Sequence, residues 1–481
     1  MTPLRTPRRG GSKLAVLATL MALVAAACGG EVAGLADELE AQQSGFNANA
    51  PGEGDFGGGD VVGTDSTGTG TGTATRSGRS GGSGGGATGT GTASGDGTST
   101  EAAPTKFSTV NEPGISDDAI SFCSVLPLTG PLGFIGKPQI SAIDSYFKMV
   151  NEQGGVHGRK IKWKYYDDGF DPARGVSQVK KCAEEDKAWA LGPGWNAFTV
   201  SASIGYLEQK KMPWFFSDGA TTDQYKTDVV FPYGVLCDRL SQDITDRVIV
   251  DRGAKRLGII YINNDIGQLC NDASKQVADA LGAQIVETAA VNADEADYTP
   301  VILRMRAAEV DAIIIHGGPT ETVKALQAGE RQSFNPPKGW ACSGGCALDV
   351  TLEFIGRFSD NLLSNSPLRE AGATPEGQRM IATVKKYHPN ETDFGVFTNA
   401  GWMFAKMLVD ALEEAGPEVS RQKLADTLRS HPWENGLGEP ANFNPPRPGT
   451  RYLPLLAKNQ HWEEAGPLRD IGEKYPGLAV P

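Results

Sequence analysis

The chain has 481 residues, 39% hydrophobic and 21% charged, with a formal net charge of −13 at pH 7. That length exceeds what one ordinary core supports, so at least two lobes are expected. The acidic balance argues against nucleic acid as the main partner and otherwise reads as solubility.

Arg5, Arg8, Arg9 and Lys13 form a basic stretch, Leu14 to Ala27 is a short apolar core, and the run ends in LVAAACGG. It is too short and wrongly flanked for a stable spanning helix and reads as a secretory signal over residues 1–27. The sequence does not choose between export routes. Cys28 follows directly, and the stretch resembles a bacterial lipoprotein signal, with Ala25 where Leu is usual. The resemblance implies cleavage before Cys28 and lipidation there, which anchors a chain to a membrane surface without spanning it. The alternative is ordinary cleavage after Ala-Ala-Ala, with Cys28 incidental.

Residues 28–113 read as a tether. The run GTDSTGTGTGTATRSGRSGGSGGGATGTGTASGDGTST has almost nothing to bury, so it cannot offset its own ordering entropy. A Gly/Ser/Thr coil of some eighty residues reaches on the order of 50 Å root-mean-square. Export also means an oxidising compartment. Cys123, Cys182, Cys237, Cys270, Cys342 and Cys346 form an even set, so disulfides are the default reading. Sequence alone leaves about 15 pairings open. No paired Cys-x-x-Cys motif is present and the five histidines are scattered, which argues against structural zinc.

From Ile115 the pattern changes to alternating strands and helices. AISFCSVLPLTG is a buried strand and a turn; KPQISAIDSYFKMVNEQGG has helical periodicity. RKIKWKYYDD is a strand, and Asp171-Pro172 caps a helix running to about Asp186. AWALGP is a strand, Ala197 to Lys210 a helix, and MPWFFSDGATT a fourth strand with its loop. The pattern restarts after Gln242: a helix over Ile244 to Arg252, then the strand RLGIIYINND. Next come a helix over Cys270 to Leu281, the strand AQIVETAAV, a helix over Thr299 to Ala308 and the strand VDAIIIHGG. A helix over Thr320 to Ala328 and the strand GWACSGG follow. EGQRMIATVKKYH and TNAGWMFAKMLVDALEEAG are two further amphipathic helices. Two successive α/β lobes with parallel sheets are expected.

In open parallel sheets a ligand sits outside the carboxyl ends of the strands. PLTGP, Gly192 to Asn196 and SDGATT each follow a strand, so their N–H groups converge on one rim suited to a carboxylate. Asp167 and Asp168 look like a paired-carboxylate site, but they end a strand just before a helix cap, which favours a structural role. His316 ends a strand at the crevice and either faces ligand or is an ordinary loop histidine. Trp195 either stacks on ligand or sits on the lip. Cys342–Cys346 and Cys123–Cys182 are the candidate bridges, leaving Cys237–Cys270. From Ile115 onward no Gly-x-Ser-x-Gly, phosphate loop or histidine cluster suggests an enzyme, and no metal or cofactor is implied.

SFCSVLPLTGPLGFIG, VNEQGGVHGRKIKWKYYDDGFDPARGVSQVKKC, FFSDGATTDQY and GWMFAKMLVDAL together resemble the branched-chain amino-acid type of periplasmic binding protein, the type I solute-binding proteins of ABC importers. The resemblance runs from about Ile115 to the C-terminus. It implies two Rossmann-like lobes joined by three hinge strands. Lobe one would hold residues 114–238 and 358–435, and lobe two residues 239–357 and 436–481, with crossings after about Gly356 and near Leu437. It also implies a monomer on the extracytoplasmic face of the membrane that delivers a small solute to a permease. A sensor of the same fold is the alternative.

In that family the loops after the third and fourth strands grip the ligand carboxylate, which places Asn196, Gly219, Ala220 and Thr221 at the site. The Asn196 amide and Thr221 hydroxyl are the expected donors. The loop after the first strand, here Leu128 and Thr129 to Ile135, supplies an aromatic wall in the family, and Phe134 or Ile135 would provide an apolar surface in its place. Lobe two departs from the pattern. Ile266 replaces a tyrosine, HGGPTE (His316, Gly318) lacks an aromatic, and the position of the ammonium-pairing glutamate falls near Gly344. Asp265 or Glu321 are the substitutes at hand. A buried ammonium without a partner is costly, so a carboxylate with an apolar body and no α-ammonium is favoured over an amino acid.

Overall fold

A computed structural model describes residues 112–130, 133–233, 236–292, 295–347, 349–443 and 451–477. The signal, Cys28 and the tether up to residue 111 lie outside the described residues. The first half alternates as expected: β1 (Ala119–Leu126), α1 (Gly133–Glu152), β2 (Lys160–Asp167), α2 (Pro172–Glu184), β3 (Ala190–Leu191), α3 (Ala197–Lys210), β4 (Trp214–Ser217) and β5 (Val230–Pro232). Their sheet is parallel throughout, in the order β2-β1-β3-β4-β5. Local chemistry sets these boundaries. Asp171 accepts from the N–H groups of Ala173 and Arg174 at 2.8 and 3.0 Å, and Pro172 opens α2 where no N–H is needed.

The second sheet is built from α4 (Cys237–Val250), β6 (Arg256–Ile262), α5 (Asp265–Leu281), β7 (Gln284–Val291), α6 (Thr299–Ala307), β8 (Ala312–His316), α7 (Pro319–Arg331), β9 (Trp340–Cys342), α8 (Asp349–Ile355) and β10 (Leu363–Ser366). It is parallel in the order β10-β9-β8-β6-β7. Two differences from the sequence reading stand out. Helix α4 begins at Cys237, seven residues ahead of Ile244, and α5 at Asp265, ahead of Cys270. Asn264 starts α5 by accepting from Gly267 N–H at 2.9 Å.

The chain then returns to the first lobe with α9 (Pro375–Tyr387), α10 (Val396–Ala415) and α11 (Arg421–Ser430). Helix α10 packs on α1, with Tyr146 and Trp402 edge to face at 4.7 Å, and its Met403, Phe404 and Leu408 join the core of the first sheet. β11 (Arg451–Lys458), β12 (His461–Glu464) and β13 (Arg469–Asp470) extend the second sheet antiparallel, and α12 (Ile471–Lys474) follows. The crossing out of lobe two comes after β10, not after Gly356, because Leu363 to Ser366 pair with both β9 and β11. Leu437 and Ala441 still pack in the first core, so lobe one extends past 435.

All six described cysteines are paired: Cys123–Cys182, Cys237–Cys270 and Cys342–Cys346. Among the described residues no helix is long and apolar enough to cross a membrane.

Candidate functional site

The loops at the carboxyl ends of both sheets form the candidate crevice. Asp167 fixes the loop after β1: it accepts from Leu128 N–H at 2.8 Å, Thr129 N–H at 3.2 Å and the Thr129 hydroxyl at 2.5 Å, and Arg174 bridges to it at 2.8 Å. Burial pushes this carboxyl up, but the bonds from Thr129, Leu128 and Gly169 outweigh it and hold the group below its usual range. Asp168 is fully buried and accepts from Phe170 N–H at 2.8 Å, the Thr199 hydroxyl and the Asn196 amide. The acid pair is therefore a loop anchor, as its position before a cap suggested.

That arrangement corrects the role expected of Asn196. Its amide donates to Val125 O at 3.0 Å and to Asp168, its side-chain oxygen faces Thr199 N–H, and it is 2% exposed. It holds α3 to β1 and β2 and leaves no side-chain donor for a ligand. Thr221 is also engaged. Its hydroxyl accepts from Gln224 Nε2 at 2.8 Å and lies 2.6 Å from Ser201 Oγ, which donates to Asp223 at 2.9 Å. With the Ser201 proton on Asp223, the Thr221 proton goes to Ser201.

Backbone turns bring the loops close. Gly192 has φ +87°, and a Cβ there would meet Phe215 O at 2.0 Å. Gly219 has φ +75°, the left-handed region that a side chain resists. Beside them Asp218 is 1% exposed. Burial pushes its carboxyl up to about 6, against the pull of N–H groups from Ala220, Ala197 and Gly219 and the Gln224 amide.

The rim of lobe one is aromatic. Phe134, 42% exposed, lies 5.9 Å from Phe397, which lies 5.6 Å from Trp195. Phe170 and Phe198 meet edge to face at 5.2 Å. Ile135 is half-buried beside Phe134, and its carbonyl accepts from Gln139, whose side-chain oxygen takes Trp195 N–H at 2.7 Å. Sequence reasoning missed Phe170, Phe198 and Phe397. The first two follow β2 and open α3, positions already read as crevice loops; Phe397 comes from a helix distant in sequence.

In lobe two, His316 is inside the lobe instead of facing the crevice. It is 3% exposed, with Nε2 2.7 Å from Ser274 Oγ and Nδ1 3.3 Å from both Ser241 and Ser343. Burial alone pushes it down to about 3. Glu321 accepts from Gly318 N–H at 2.9 Å and so closes the start of α7. Asp265 is exposed and Ile266 half-buried in the first turn of α5. Gly344 donates its N–H to Asn365 at 2.9 Å, and no acid stands there. A concavity of about 580 Å³ lined by Arg252, Trp340 and Asn361 lies at the amino ends of β9 and β10, the wrong end of the sheet for the crevice.

A model of the periplasmic binding protein family matches residues 120–454. The chain belongs to that family. It is 23% identical over 330 residues to the leucine-, isoleucine-, valine-, threonine-, and alanine-binding protein of Pseudomonas aeruginosa, covering 67% of this chain and 85% of that protein. Its fold is similar to the fatty acid ABC transporter substrate-binding protein from Thermomonospora curvata, with a TM-score of 0.67, 20% identity, and 77% and 97% of the two chains covered. It is also similar to an ABC transporter solute-binding protein of R. palustris in complex with benzoate, with a TM-score of 0.61, 14% identity, and 76% and 97% covered. The two-lobed α/β architecture is that of the type I periplasmic binding proteins.

Proposed function

We propose that this protein is a lipid-anchored, extracytoplasmic, non-catalytic binder that captures one small carboxylate with an apolar body between its lobes and delivers it to an ABC importer. The observation that carries the choice of solute is in lobe two. Glu321, one of two acids available to an α-ammonium, is engaged at the start of α7, and the position near Gly344 holds no acid. Lobe one offers the ring surfaces of Phe134, Trp195 and Phe397. Similar proteins include one named for leucine, isoleucine, valine, threonine and alanine, one named for fatty acid, and one in complex with benzoate, and every one of these solutes carries a carboxylate.

Calorimetric titration with 4-methylpentanoate and leucine, which differ by the amino group, tests the reading. The carboxylic acid is expected to bind at least as tightly. Leucine binding more than about a hundredfold tighter, roughly 2.7 kcal/mol, means that Asp265 pairs the ammonium and overturns it. The anchor is tested separately: a palmitate analogue fed to cells is expected to label the wild type and not Cys28→Ser, and equal labelling removes the lipid.

A further inference from the structure

A backbone donor assigned to a ligand anion already holds a carboxylate. Ala220 N–H, after β4, donates to the Asp218 carboxylate at 3.1 Å, and the N–H groups of Gly219 and of Ala197 at the start of α3 favour its charged form. Gln224 Nε2 lies 3.5 Å from the same carboxylate and 2.8 Å from the Thr221 hydroxyl, while Ser217 Oγ fixes the other end of Gln224 at 2.5 Å. Asp218 and the Gly219–Thr221 loop are thus one hydrogen-bonded unit, closed from solvent on the Asp218 side. A solute carboxylate brought to this loop competes with Asp218 for its donors and sets a second negative charge beside a buried one. Two carboxylates sharing a low-dielectric site do not both stay ionised.

We propose that a carboxylate solute binds lobe one together with a proton, which Asp218 takes up. This rests on the carboxylate reading above. The balance is simple: one anionic solute and one proton enter from water, Asp218 becomes neutral, and the seat keeps a single negative charge. No covalent bond changes. A neutral Asp218 holds its N–H donors less strongly, which releases them to the solute. Burial has already raised this carboxyl to about 6, and a neighbouring anion raises it further. Among the described residues the hydrogen-bond partners of Asp218 are a neutral N–H and the neutral Gln224 amide. Tyr225 donates to Gly219 O at 2.8 Å and stays protonated, its hydroxyl raised well above 10 by burial. Asp168 stands behind Asn196, Asp223 behind Ser201, and Asp238 at the start of α4 acts on Tyr225.

The test is calorimetric titration of the full chain with benzoate, octanoate and 4-methylpentanoate between pH 5 and 8, in buffers of different ionisation heat. The expected result is uptake of about one proton per solute near pH 7 and an affinity falling by about tenfold per pH unit above 6.5. Asp218→Asn is expected to flatten both. Binding without proton uptake and without pH dependence overturns the inference and leaves the carboxylate reading standing. Proton uptake unchanged in Asp218→Asn places the proton elsewhere and also overturns it. Failure of all three solutes at every pH removes the carboxylate reading and this inference with it. Should Asp218→Asn not fold, the proton count on the wild type still decides.

Discussion

Two buried groups near the crevice pull stability in opposite directions with pH. His316 is neutral in the fold, pushed down to about 3, while the unfolded chain takes a proton near 6.5. Its folded pKa is depressed, so its contribution is present above about 6.5 and is lost as pH falls, at about 1.4 kcal/mol per pH unit. Asp218 is raised to about 6 from about 3.8. Its contribution is present below about 4 and is lost as pH rises through 6, on the order of 2–3 kcal/mol in all. Between pH 4 and 6 the two slopes offset. Urea unfolding at pH 4, 5, 6 and 7 separates them. His316→Gln is expected to leave a stability that falls as pH rises from 4 to 6, and Asp218→Asn one that rises. Single variants that keep the wild-type profile refute the assignment. Neither role was legible in the sequence. SDGATT identifies a crevice loop, but nothing in it says that Asp218 turns inward, and HGGPTE does not reveal the three serines around His316. Those partners arrive from α4, α5 and the residue after β9 only once the sheet forms.

At the scale of elements, the sequence was readable wherever burial is apolar. β1, β8 and α10 carry runs such as AISFCSVL and AIIIH that have one place to go. The start of α4 was not readable, because its buried face is polar. Arg239 donates to Gln242 and to Tyr475 O, Gln242 reaches Gln276 and Pro476 O, and Asp243 takes Arg247 and Asn365. Periodicity in hydrophobic residues cannot report a face made of satisfied polar groups. β10 escaped notice for a related reason: three of the four residues in Leu363-Ser364-Asn365-Ser366 are polar yet buried, with Asn365 also donating to Leu240 O at 2.8 Å. The disulfides reinforce these long-range placements. Cys123–Cys182 ties β1 to α2 across 59 residues and Cys237–Cys270 ties α4 to α5 across 33. Restricting unfolded loops of that size is worth about 4 kcal/mol each in the chain-entropy picture, and the four-residue Cys342–Cys346 loop about 2.

At the scale of the molecule, each lobe is completed by chain from beyond the other. Helices α9 to α11 finish the core around β1 to β5, and β11 to β13 finish the second sheet. The chain therefore passes between the lobes before α4, after β10 and ahead of β11. At the first, Leu236 is 1% exposed and packs between Tyr225 of lobe one and Leu269 of lobe two. A solute that touches both lobes favours the closed arrangement by its difference in affinity for the two states. A solute held by lobe one alone stabilises the protein without moving anything. Unfolding measurements and small-angle scattering, run with whichever carboxylate binds, separate the cases. At a solute concentration of 100 Kd, stability is expected to rise by about 2.7 kcal/mol. The radius of gyration is expected to fall in the same samples. Stabilisation without contraction would confine the solute to the aromatic rim of Phe134, Trp195 and Phe397, and lobe two would then have no part in recognition.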